Sequence, residues 1–197
     1  QILIATSNQG KLKEIKKFFI DLDIKFYYLL DFPNMYSVVE DGKTLKENAI
    51  KKAKETAAFT GIPSLSDDTG LEVAFLNNAP GVFSARYAGE NATYHDNNIK
   101  LLNNLKNIPF ENRKAHFKTV MALAFPNGEV FTVSGECEGF ILDKLIGENG
   151  FGYDPIFFVP ELNKTFAEMT IEEKNTISHR AKALQNMKNL ILELNKT

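Results

Sequence analysis

The first apolar cluster is Ile2-Leu3-Ile4-Ala5, an unbroken run of the kind that forms a short buried strand. A polar loop follows, and then Leu12, Ile15, Phe18 and Phe19 fall at helical spacing, which predicts an amphipathic helix with one apolar stripe. A second strand is expected from about Ile24 to Leu30, then a loose segment marked by Pro33 and Gly42. Thr44-Leu45-Lys46-Glu47 has capping-box form, a hydroxyl with a carboxylate three residues on. The helix it opens carries Leu45, Ala49, Ala53 and Ala57 in steps of four, a narrow face of small residues suited to close approach to a sheet, and Gly61 and Pro63 end it.

Ser64-Leu65-Ser66 leads into Asp67-Asp68-Thr69-Gly70, read as a turn, and then into an apolar strand, Leu71–Phe75. Residues Asn77–Gly89, with Pro80 and two glycines, read as a long loop, and a helix is expected over roughly Asn97–Leu105. Lys114–Phe125 and Val130–Glu138 form a hairpin joined at Pro126-Asn127-Gly128, since Asn-Gly is a strong turn signal. A glycine-rich loop over 147–152 precedes the strand Ile156–Val159. Thr170–Glu173 is a second capping box, and the last helix buries Leu184, Met187, Ile191 and Leu194. No repeat, low-complexity tract or linker interrupts the series. Strands and helices alternate early while the hairpin makes part of the sheet antiparallel, so the fold class is α/β, a mixed twisted central sheet with flanking helices. One domain over 1–197 is expected, bilobed, with the hairpin region and the loop before it in the second lobe and a ligand cleft between lobes.

Composition narrows the function classes. Hydrophobic content of 44% and charged content of 24% are those of an ordinary globular chain. A net charge of −2 supplies no basic field for nucleic acid or an acidic membrane, so an anionic ligand must be held by a few local cations. The single Cys137 excludes an intramolecular disulfide and a thiolate metal site, and packing is its expected role. No apolar run approaches the roughly 20 residues of a membrane span, and no leader pattern is present. The chain starts at Gln1, one residue before its first strand, so a trimmed initiating segment is expected, and a cytoplasmic location.

Four segments carry candidate chemistry. Thr6-Ser7-Asn8-Gln9-Gly10-Lys11 joins a strand to a helix N-terminus, where unpaired N–H groups and the helix dipole favour phosphate and Lys11 adds a full charge; a capped turn with a solvated lysine is the plainer alternative. Asp67 and Asp68 are adjacent carboxylates whose joint burial is costly without a cation, and a hard divalent ion with oxygen ligands resolves the conflict, whereas a solvated acidic turn needs none. Thr69-Gly70 offers the turn that would let both acids serve one point, because neighbouring strand residues face opposite sides. Glu40 and Asp41 in the loose segment are weaker acids of the same kind. Gly150-Phe151-Gly152-Tyr153-Asp154-Pro155 sets two aromatics between glycines, open to a base worth ~1–3 kcal/mol of stacking or, alternatively, turned into the core. Lys174, His179 and Arg180, with Ser178 as a cap, gather donors near a helix start. Such donors discriminate, because a ring amino group in place of an oxygen leaves them unpaired. Arg86 either contacts phosphate or braces its loop. Nothing suggests a Ser-His-Asp set, a zinc spacing or a nucleophilic cysteine.

TSNQGK, SDDTGLEV, APGVFSARYAG, GFGYDPIF and EKNTISHR, in this order from first strand to last helix, resemble the inosine triphosphate pyrophosphatase family, hydrolases that remove noncanonical purine nucleoside triphosphates. Asn78 and Phe83 depart from that pattern, where glycine and tyrosine are common. The resemblance implies cleavage of ITP, dITP or XTP between the α- and β-phosphates to monophosphate and pyrophosphate. It implies Mg2+, with Mn2+ as a substitute, and a homodimer. By position it also implies substrate contacts from Thr6–Lys11 (Thr6, Ser7, Asn8, Gln9, Gly10, Lys11), Lys52 and Thr69. Glu40, Asp67 and Asp68 would organise metal, with Asp68 as proton acceptor for water. Phe151 would stack on the base, Gly152, Tyr153 and Asp154 would complete that wall, and Lys174, His179 and Arg180 would read the 6-oxo edge. A pyrophosphatase for modified pyrimidine or ordinary triphosphates is the nearer rival reading, and a nucleotide-binding regulator without turnover is the more distant one.

Overall fold

The computed structural model describes residues 1–196. In chain order it forms β1 (Ile2–Ile4), α1 (Gln9–Phe18), β2 (Phe26–Tyr28), α2 (Leu45–Thr60), β3 (Ser64–Val73), β4 (Ala79–Gly81), α3 (Tyr94–Asn104), β5 (Lys114–Ala124), β6 (Val130–Ile141), β7 (Phe157–Val159), β8 (Lys164–Thr165), α4 (Ile171–Ile177) and α5 (His179–Leu194). The sheet runs β2-β1-β3-β5-β6-β7-β8, with β4 beside β3. β1 is parallel to β2 and β3, while β3–β4, β6–β7 and β7–β8 are antiparallel, so the sheet is mixed as expected. Among the described residues no helix is long and apolar enough to cross a membrane.

Several elements depart from the sequence reading. β2 is shorter, because Asp31 accepts the Tyr28 N–H at 2.9 Å and turns Leu29–Asp31 into a 3-10 helix. The acidic stretch is no turn: β3 passes without a break through Asp67–Gly70. Asp and Gly disfavour strands, but here pairing at both ends overrides local preference. Ser64 and Leu65 pair with β1, and Leu71–Val73 pair with β4. The long loop expected at Asn77–Gly89 contains β4 and a 3-10 turn, Ser84–Arg86. α3 begins at Tyr94, fixed by a reciprocal Thr93–Asp96 cap. At α2, Thr44 Oγ1 accepts the Glu47 N–H, but the Glu47 carboxylate accepts from Lys43 N, one residue before the cap.

The chain divides into two compact units. The first comprises Gln1–Asp68, Thr119–Gly135 and the chain from Ala181, so the hairpin tip belongs here. Its core joins Ile2, Ile4 and Leu65 of the sheet to Leu12, Ile15 and Phe19 near α1 and to Leu184, Met187 and Ile191 of α5. α2 buries Leu45, Ala49, Ala53 and Ala57, the face of small residues read from the sequence. The second unit is Thr69–Lys118 with Glu136–Arg180. It packs Leu71, Val73, Leu101, Leu105, Phe117, Ile141, Phe157 and Phe166, and takes in Cys137 as a packing residue.

Candidate active site

In the first unit, Thr6–Lys11 carries the chain from β1 into α1. Asn8 caps the helix: its Oδ1 accepts from Gly10 N at 3.0 Å and Lys11 N at 3.1 Å, and its own N–H donates to Thr6 Oγ1 at 3.2 Å. Ser7 and Gln9 are exposed beside it. Lys11 reaches Asp67, Nζ to Oδ2 at 2.9 Å, and that carboxylate is fully buried. From α2, Lys52 Nζ donates to Glu40 Oε2 at 3.0 Å and to the Asp67 carbonyl at 2.7 Å. Asp68 accepts at Oδ2 from Asn48 Nδ2 at 3.0 Å. Burial pushes the Asp68 carboxyl above its ordinary range; Lys52 and Lys11 partly oppose this, Glu40 reinforces it, and the Asn48 hydrogen bond opposes it slightly.

Because β3 is continuous here, Asp67 and Asp68 leave opposite faces of the strand. Lys11 of α1 meets the first and Asn48 of α2 meets the second. The turn expected to bring both acids to one point is therefore absent, yet Lys11, paired with Asp67, also acts on the Asp68 carboxylate. Among the described residues no three His, Cys, Asp or Glu side chains gather into a ready-made metal cage. The donors are nonetheless all oxygen and neighbour lysines, which is the environment for a hard ion. Mg2+ needs only one or two carboxylates and completes its octahedron with water and phosphate oxygens, so the residues present fit it.

A separate set lies in the second unit. Gly150–Asp154 forms a tight turn closed by Asp154, whose Oδ2 accepts from Phe151 N at 2.9 Å and from Lys174 Nζ at 2.7 Å. Asp154 and Lys174 are both buried, so each charge depends on the other. Gly150 is required here: its φ is +78°, and a Cβ would overlap the Asp154 carboxylate. The two aromatics split in role. Phe151 is half-buried, with Lys174 Nζ at 5.2 Å and the Arg180 guanidinium at 5.5 Å from its ring centroid. Tyr153 turns into the core, donates its hydroxyl to Ser84 O at 2.8 Å, and burial raises its pKa. Gly152 O accepts from Asn98 Nδ2 at 2.8 Å. His179 is buried and stacks on Phe117 at 4.5 Å. Arg180, also buried, donates from Nη2 to Thr69 Oγ1 at 3.1 Å. Ser178 stands at the junction of α4 and α5. Arg86 pairs with exposed Glu90 at 3.8 Å and lies over Phe83, which braces its loop.

The candidate residues thus fall into an acid–lysine set and an aromatic–cation set. Asn48, Asn98, Phe117 and Phe166 support them and escaped the sequence reading. Asn48 left a signal, being a poor helix former inside a helix, on the side of buried Leu45 and Ala49.

The sequence pattern of the Ham1 family matches residues 2–190. This chain belongs to the Ham1 family. A dITP/XTP pyrophosphatase of Geobacter sulfurreducens is 50% identical over 188 residues, which cover 95% of this chain and 94% of that protein. One of Desulforamulus reducens is 48% identical over 194 residues, covering 98% and 96%. The solved structure of a HAM1 protein from Coxiella burnetii matches with a TM-score of 0.90 at 44% identity, over 98% of both chains. The resemblance carried by the five motifs and the mixed α/β fold are both borne out.

Proposed function

We propose that this chain is a dITP/XTP pyrophosphatase, hydrolysing 6-oxopurine nucleoside triphosphates to the monophosphate and pyrophosphate. The observation that carries the reading is the buried Asp68, a carboxylate held among Lys52, Lys11 and Glu40 in a chain similar over nearly its whole length to dITP/XTP pyrophosphatases. A regulator that only bound anions would gain nothing from acids placed beside its lysines.

The triphosphate is assigned to the acid–lysine set. The positive end of α1, capped by Asn8, favours phosphate, with Thr6 and Asn8 beside it, and Lys11 and Lys52 exchange their carboxylate partners for phosphate oxygens. Asp68, ionised, takes the proton of the attacking water. Glu40, Asp67 and Asp68 would hold Mg2+ or Mn2+ through their oxygens, and the ion would supply neutralisation of phosphate charge and acidification of water. The base is assigned to the second set. Phe151 supplies the stacking plane, while Lys174, His179 and Arg180 supply donors that suit a 6-oxo group and find no acceptor in the amino group of adenine. Asp154 and Tyr153 act differently from the wall first expected: one staples the turn to Lys174 and the other anchors it in the core. Thr69 is kept as a substrate contact, oriented by Arg180. The reading includes a single catalytic domain, a cytoplasmic nucleotide pool and a homodimer, the last checked by sedimentation.

Pyrophosphate release from dITP, XTP, dATP and dGTP tests the proposal. Asp68→Asn should lower kcat by about a thousandfold or more, in the range of a lost general base and its associated electrostatics, while Kd for dITP stays within a few-fold. Equal rates on dATP and dITP, or wild-type turnover by Asp68→Asn, would defeat it.

A further inference from the structure

Asn48 lies in the first turns of α2 and is only 1% exposed. A buried primary amide is costly unless its donor and acceptor both find partners. Here both do, and the partners belong to different parts of the candidate site. Nδ2 donates to Asp68 Oδ2 at 3.0 Å, and Oδ1 accepts from Gly42 N at 2.8 Å. One planar group therefore joins the proposed base to the segment that carries Glu40.

That segment, residues 32–44, contains no helix or strand. Its other ties to α2 include Asp41 to Lys51 at 2.6 Å, Lys43 N to Glu47 at 2.7 Å and the Tyr36 hydroxyl to Glu55 at 3.1 Å, all exposed, and the half-buried Glu40 to Lys52 at 3.0 Å. Exposed ion pairs restrain little. The half-buried bond from Gly42 N is the tie that ends on the side chain holding Asp68, and Gly42 makes it attainable, since a Cβ there would stand 2.6 Å from Asn48 Oδ1 and 2.8 Å from Glu47 Cβ. A rigid amide also fixes rotation of the Asp68 carboxylate by committing Oδ2 to α2.

We propose that Asn48 is a positioning residue, which orients the Asp68 carboxylate and holds the Glu40 segment in register with it without touching substrate. The inference rests on the function proposed above. A residue of this kind serves the chemical step more than substrate affinity, because the phosphate lysines and the Phe151 turn do not depend on it.

Asn48→Ala should lower kcat for dITP about ten- to a hundredfold, as expected for losing a hydrogen bond to a charged group, with KM within about threefold. Hydrogen–deuterium exchange at the Gly42 amide should quicken in the same variant, measured without nucleotide or metal. Gly42→Ala, which presses on Asn48 from the loop side, should lower kcat by at least about threefold on the same grounds. Lys51→Ala, which breaks only an exposed tie of that segment, should leave kcat within about twofold. The proposal is overturned if Asn48→Ala or Gly42→Ala keeps wild-type kcat, if Gly42 exchange is unchanged in Asn48→Ala, or if a kcat loss is matched by an equal rise in KM. Should Asn48→Ala not fold, Gly42→Ala decides. Failure of the underlying reading looks different, with no pyrophosphate from dITP in the wild type or full turnover in Asp68→Asn.

Discussion

Asp68 would act as a base only when ionised, and its surroundings oppose that. Burial raises its carboxyl above the ordinary 3.8, and Lys52 and Lys11 recover only part of the penalty. A carboxyl whose pKa is higher in the fold than in the unfolded chain holds its proton more tightly when folded. Its contribution to stability is full below the unfolded value and is lost as pH rises through the folded one. Asparagine at the same position has no charge to desolvate, and its amide oxygen can still accept from Asn48. Asp68→Asn should therefore melt higher than the wild type at pH 7, by on the order of 3 °C, with the gap narrowing toward pH 4; paired calorimetric scans at the two pH values read it. A lower melting point at pH 7 would mean the lysines more than repay burial. Stability and catalysis pull in opposite directions at this residue, since the charge that weakens the fold is the one proposed to accept the proton.

Among elements, the Gly150–Asp154 turn is the one to which recognition of the base is assigned in the proposed function. Its shape depends on a positive φ at Gly150 and on Asp154 bonding both Phe151 N and Lys174. Gly150→Ala should push the carboxylate off Lys174 and tilt Phe151, lowering the dITP-over-dATP ratio of kcat/KM by about tenfold, the equivalent of ~1.4 kcal/mol of discrimination. Steady-state kinetics on the two substrates decide it; an unchanged ratio would show that the turn does not carry selectivity. Elements with local causes were legible in the sequence. The Thr170–Glu173 box opens α4, Gly61 closes α2 in a left-handed cap, and Asn127-Gly128 turns the hairpin. What escaped has distant causes. Asp67–Gly70 resembles a turn to any local rule, yet β1, β4, Lys11 and Asn48 fix it as strand, and none of these is its neighbour in sequence. Phe151 and Tyr153 look equivalent between their glycines, and only the carbonyl of Ser84, far back along the chain, takes one of them inward.

At the scale of the whole molecule, each compact unit has its own apolar core, and the candidate residues divide between them by chemistry, acids and lysines in one and aromatic and cationic groups in the other. Neither core includes a group that needs a metal to be complete. Removing divalent ions should therefore abolish turnover and leave the fold intact, with a far-UV circular dichroism spectrum unchanged by EDTA. Unfolding on chelation would show that the ion is structural.

Lys11 and Lys52 already rest against Asp67 and Glu40, so these two acids are not left bare. Their ammonium groups act as tethered counterions. On the proposed reading, a protein deprived of magnesium would stay dormant and undamaged, ready to resume once the ion returns.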